Sequence, residues 1–192
     1  MATEELATCL EIMRRQRHDF LNHLQVLSGL LQLHRPEQAL NYIKEVTQEL
    51  EQLGGILHLQ WPRLILALLR WSMEAEQQDV QMRLVGSAGL IGFGLDEEKV
   101  LKVVDGIWRA VMAALADVPW ERRYVTLRLA AEEDGCCFIW EVAANEHLTA
   151  GHWREVLMEP AMLAREINGE LGWQQQGVDW VLQLRLAAQV SA

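Results

Sequence analysis

The stretch Arg17-His18-Asp19-Phe20-Leu21-Asn22-His23-Leu24-Gln25-Val26-Leu27-Ser28-Gly29-Leu30-Leu31 decides how the first part of the chain folds. Phe20, Leu24, Leu27 and Leu31 recur at alternating steps of four and three residues, which lays them on one stripe of a helix. The helical pattern holds from Leu6 to about His34, with Gly29 tolerated inside at a cost of roughly 1 kcal/mol relative to alanine. At 100 degrees per residue, His18 falls about 140 degrees around the helix from the centre of the stripe, so its ring is expected in water. Arg14, Asn22 and Gln25 fall near that azimuth, whereas His23 flanks the stripe.

His34-Arg35-Pro36 is expected to end this helix, because the residue before a proline disfavours helical geometry and proline suits a first helical turn. A second helix is predicted from about Pro36 to Leu53, carrying Ala39, Ile43, Val46, Leu50 and Leu53 at the same spacing, with Gly54-Gly55 as its stop. Two antiparallel helices with apolar seams cannot enclose a core alone. The economical solution is a four-helix bundle made by two copies of the chain, a homodimer, with packing onto the chain's own downstream half as the alternative.

After Gly55 the pattern changes to alternating helices and strands. Helices are expected over 64–76, 97–116 and 151–168, and strands around 80–85, 124–131, 136–142 and 180–187. The turn Glu132-Glu133-Asp134-Gly135 joins two of the strands into a hairpin. The fold class is therefore α+β: an N-terminal helical hairpin, residues 1–57, followed by a C-terminal α/β sandwich, residues 58–192, with a mostly antiparallel sheet and helices on one face. Of the eight tryptophans, Trp61, Trp71, Trp108 and Trp140 read as core filling, and Trp120 and Trp153 as exposed.

The bulk properties exclude several functions. A formal charge of −10 repels nucleic acid, although Arg14, Arg15, Arg17 and Arg35 crowd the region of His18. Cys9, Cys136 and Cys137 lack metal-ligand spacing, so neither a disulfide framework nor a zinc site is expected. Neither a secretory signal nor a run of about 18 apolar residues is apparent, which predicts a soluble, cytoplasmic protein without a membrane segment.

An imidazole in water, with an ordinary pKa near about 6.5, is largely neutral at neutral pH, and a neutral ring nitrogen is a competent nucleophile toward phosphorus. Phosphoryl transfer depends on alignment and on stabilising charge at the equatorial oxygens. Arg14, Arg15 or Arg17 could hold those oxygens, and Asp19, Asn22 and Gln25 could fix the ring tautomer or meet a partner's loop. A lone exposed histidine is by itself a weak signal.

The run Arg17 to Gln25 resembles the phosphoacceptor-helix motif of two-component sensor kinases. The similarity continues through Val26 to Leu33 and through Ala39-Leu40-Asn41-Tyr42-Ile43. In those kinases an ATPase-like domain follows, and the order of elements after Leu64 is similar to it, but its nucleotide boxes are damaged. Arg109 and Ala110 stand where an acidic residue and a metal-binding asparagine belong. Ala144 and Glu146 replace the aspartate and glycine of the adenine-reading turn, and no glycine-rich lid lies between that turn and Asn168.

A phosphoacceptor hairpin joined to a degenerate ATPase-like domain in so short a chain resembles the sporulation initiation phosphotransferase B family. The resemblance implies that His18 takes a phosphoryl group from a response-regulator aspartate and passes it to a second response regulator controlling sporulation initiation, without using ATP. It implies His18 as phosphoacceptor, with Arg14, Arg17, Asp19 and Asn22 in support and Arg15, Leu21 and Gln25 meeting the partner. It also implies a homodimer, no cofactor or metal on this chain, Mg2+ on the partner regulator, and neither nucleic acid nor membrane among the partners. The alternatives are a divergent sensor histidine kinase and a non-catalytic response-regulator docking module.

Overall fold

The computed structural model describes residues 2–57, 59–86, 94–144 and 148–188. Two compact units divide it, Met1–Gly54 and Gly55–Ala192. The first is a hairpin of α1 (Ala2–Gln32) and α2 (Pro36–Leu57). α1 ends in a left-handed residue, His34 at φ 55°, rather than at the proline alone. The His34 amide donates to the Leu31 carbonyl and the Arg35 amide to the Leu30 carbonyl, closing the last turn before Pro36 opens α2. His23 and Tyr42 tie the helices together, with Nδ1 and the phenol oxygen 2.8 Å apart.

Gly54-Gly55, expected to stop α2, lies inside it. The helix runs on to Leu57, and Ile56 is fully buried in the core of the second unit. Burying that side chain contributes about 2 kcal/mol, enough to offset glycines that each cost roughly 1 kcal/mol in a helix.

The second unit comprises α3 (Pro62–Gln77), β1 (Gln81–Gly86), α4 (Glu97–Ala116), β2 (Tyr124–Glu132), β3 (Gly135–Val142), α5 (Ala150–Val156), α6 (Met158–Glu166), β4 (Gly169–Gln176) and β5 (Asp179–Ala187). The sheet runs β1-β2-β3-β5-β4, with β1 parallel to β2 and every other pair antiparallel. Asp96 caps α4 by accepting from the Glu98 and Lys99 amides, and Glu97 Oε1 accepts from the Arg63 and Leu64 amides at the start of α3. Burial alternates along β2 and β5, so Val125, Leu127, Leu129, Leu182 and Leu184 face the core while Arg128 and Arg185 stay exposed.

Three expectations fail here. The single helix over 151–168 is two, broken at Leu157 just before Met158-Glu159-Pro160, because proline favours a first helical turn over a helix interior. A strand, β4, occupies Gly169–Gln176. Its glycines and glutamines carry little strand propensity, and pairing with β5 rather than local preference forms it. Trp153, expected at the surface, is fully buried with its ring 6.2 Å from that of Trp180. Trp120 is exposed, and Trp61, Trp71, Trp108 and Trp140 are buried, as their apolar neighbours imply.

Among the described residues no helix is long and apolar enough to cross a membrane.

Gly135 is the tightest point of the sheet. A Cβ there would collide with the backbone carbonyl oxygen of Leu186, which cannot move without disturbing the β3–β5 register. Gly135→Ala is expected to lower the unfolding free energy by about 2–4 kcal/mol in a denaturant titration. Gly172→Ala in open space should stay within about 0.5 kcal/mol of wild type.

All three cysteines are free, and only Cys9 is exposed. Burial pushes the Cys136 thiol up to about 12 and raises that of Cys137. At pH 8 a thiol reagent should therefore titrate one cysteine in the native protein and three after unfolding.

Candidate phosphoacceptor site

At 100 degrees per residue, α1 divides into three faces roughly 120 degrees apart. Asp19, His23 and Leu30 are half-buried on the side that meets α2. Leu6, Leu10, Met13, Phe20, Leu24 and Leu31 form a second face and are all exposed, Met13 by 65% and Phe20 by 60%. The third face carries His18, whose side chain is 72% exposed. The azimuth read from the sequence is the one observed, because nothing on a regular surface helix rotates a residue away from it.

Among the described residues, the His18 ring is held from one nitrogen only. Nδ1 lies 3.1 Å from Asn22 Nδ2, one turn on, and 3.4 Å from Asp19 Oδ1. A single ring nitrogen cannot both accept from the amide and donate to the carboxylate. A bond to a charged carboxylate is about twice as strong as one between neutral groups, which favours the tautomer carrying the proton on Nδ1. A half-turn of the Asn22 amide would then let its oxygen accept the same proton. Nε2 is left with a free lone pair directed at solvent, as a phosphorus nucleophile requires. Asp19 is itself positioned, since Arg15 Nε stands 3.7 Å from Asp19 Oδ2.

Arg14, Leu21 and Gln25 are exposed beside the His18 face, and Arg15 is half-buried in its pair with Asp19. Arg17 is exposed but lies about 100 degrees away from His18, toward the apolar face. Sequence reading missed two features, the Arg15–Asp19 link and the His23–Tyr42 bond. The i,i+4 spacing of Arg15 and Asp19 could have signalled the first. The second depends on how the two helices meet.

The positions matched above to nucleotide boxes lie on α4 and at the end of β3. Ala110 is buried on α4, and Arg109 beside it points outward to Asp105 at 2.7 Å, which also meets Arg70 at 3.3 Å. One turn of α4 earlier, Gly106 lies close against Pro160 of α6. Trp108, just before Arg109, stacks on Trp71 at 5.5 Å and donates its indole N–H to Glu74. Ala144 is buried at the end of β3, and Asn145-Glu146 lie outside the described residues. In place of a glycine-rich lid, Gly151 sits within helix α5. Among the described residues no three histidine, cysteine or acidic side chains gather as a metal site.

A helical hairpin bearing an exposed histidine, followed by helices over a five-stranded mixed sheet, defines a histidine-kinase-like architecture. Residues 1–59 match the family described as the alpha-helical domain of SpoOB-type sensor kinases. The similarity to that family is confined to this segment. The histidine kinase AdeS of Acinetobacter baumannii shares the fold, with a TM-score of 0.51 at 10% identity over 90% of this chain and 98% of that one. A structure titled a bacterial phosphotransferase aligns over 96% of this chain and 97% of its own, at 14% identity and a TM-score of 0.44. No curated protein matches the sequence.

Phosphoramidate, a small phosphoryl donor, should phosphorylate His18 at a rate read by 31P NMR against a His18→Ala background. Asp19→Asn is expected to slow that rate about 10- to 100-fold by releasing the Nδ1 proton. Arg15→Gln should have a smaller effect in the same direction.

Proposed function

We propose that the chain is a phosphorelay histidine phosphotransferase. His18 accepts a phosphoryl group from the aspartate of one response-regulator receiver and passes it to a second, one that controls sporulation initiation. The observation that carries this reading is the pairing of an exposed His18 ring, its Nδ1 beside Asp19, with alanines where a nucleotide site needs asparagine and aspartate. Arg14 and Asn22 flank the ring and are suited to steady the transferring oxygens, while Leu21 and Gln25 offer contact surface to the receiver. In this reading the chain binds no nucleotide, Mg2+ belongs to the receiver's acidic pocket, and transfer takes place in the cytoplasm.

The free apolar face of α1 and the exposed Leu40, Ile43 and Leu50 of α2 support a two-copy, four-helix bundle. Burying such side chains contributes roughly 1.5–3 kcal/mol each, and contiguous exposed apolar side chains mark interaction surfaces.

Radiolabelled phosphorylated receiver domain mixed with the protein should move label onto wild type and not onto His18→Ala. Equal labelling of the two proteins removes the proposal, and labelling from ATP alone replaces it with a divergent kinase. Receiver binding without any transfer of label would mark a docking module.

A further inference from the structure

The exposed seam of α1 has one interruption. Leu6, Leu10, Met13, Phe20, Leu24, Leu27 and Leu31 follow the four-three rhythm, and Arg17 occupies the remaining position between Met13 and Phe20. By azimuth Arg17 sits on the flank of the seam nearer His18. It is exposed, and among the described residues of its own chain no hydrogen bond or ion pair holds it. A charged side chain on the flank of a bundle seam selects what lies opposite.

The seam of α2 answers it. Leu40, Ile43 and Leu50 are exposed with Thr47 between them, and Glu51 lies on the flank of that row, also exposed. The His23–Tyr42 bond fixes the register of the hairpin. Six residues back along α1 from His23 is Arg17, and six to nine residues on along α2 from Tyr42 is 48–51, so Arg17 and Glu51 share a level to within about one turn. A two-fold axis along the bundle keeps these levels the same in both copies. If α1 packed on α1 of the second copy, Arg17 would face Arg17 across the seam. Packed on α2 of the second copy, it faces an acid.

We infer that the α1 seam takes α2 of a second copy, with Arg17 paired to Glu51 of that copy directly beside the phosphoacceptor histidine. Each His18 face is then bounded by both chains, and Arg17 acts as a positioning residue that sets partner choice and register. This rests on the two-copy bundle proposed above.

Sedimentation equilibrium of the full chain tests it, with circular dichroism as the check on folding. Arg17→Glu and Glu51→Arg should each weaken the dimer about tenfold, and the double exchange should return it to within about threefold of wild type. Additive weakening in the double exchange would overturn the pairing while leaving the dimer intact. A wild-type monomer at all concentrations would overturn the bundle itself and the pairing with it. Cys9, exposed on the seam side of α1, gives a second readout. Mild oxidation should leave it unlinked in the proposed arrangement, whereas rapid Cys9-to-Cys9 cross-linking would establish α1 against α1 and overturn the inference.

Discussion

The first unit is governed by one constraint: a helix turns 100 degrees per residue, so a single α1 must serve three surfaces at once. One side meets α2 through His23 and Tyr42. Another presents an apolar seam that nothing in the hairpin covers. The third is left for His18, which is consequently exposed and held only by near neighbours, Asp19 beside it and Asn22 one turn on. The chemistry of the ring follows from its distance from both packing faces, since burial on either would close off Nε2.

The second unit has a different logic. Its core is filled by large indole side chains, with Trp71, Trp108, Trp140 and Trp153 fully buried, and polar work is confined to helix caps and the rim. The Trp71–Trp108 stack joins α3 to α4, and Glu74 receives the Trp108 indole proton, so a polar group that could cost about 1–3 kcal/mol if unpaired is satisfied. On α4 the buried face around Ala110 carries methyl and indole groups, and the charged groups Asp105 and Arg109 pair with one another outside the core.

Much of this was legible in the sequence because it is local. The α4 boundaries Glu97–Ala116 follow from an aspartate cap and an apolar period, and the β2–β3 hairpin follows from the turn ending at Gly135. What escaped was decided by long-range pairing. β4 has a poor strand sequence and exists because β5 offers it a ladder. The passage of α2 through Gly54-Gly55 and the burial of Trp153 each set a local preference against core packing, and packing won, whereas the break at Leu157 follows the local preference of Pro160 for a first helical turn.

By itself the sequence determined the azimuth of His18, the apolar stripe and the small apolar side chains at Ala110 and Ala144, because these depend only on residue identity and helix period. Tertiary structure alone decided that His23 reaches Tyr42, and so which residues of α1 and α2 share a level. Those facts depend on where two helices, nineteen residues apart at their point of contact, come to rest against each other, and no local pattern encodes that distance.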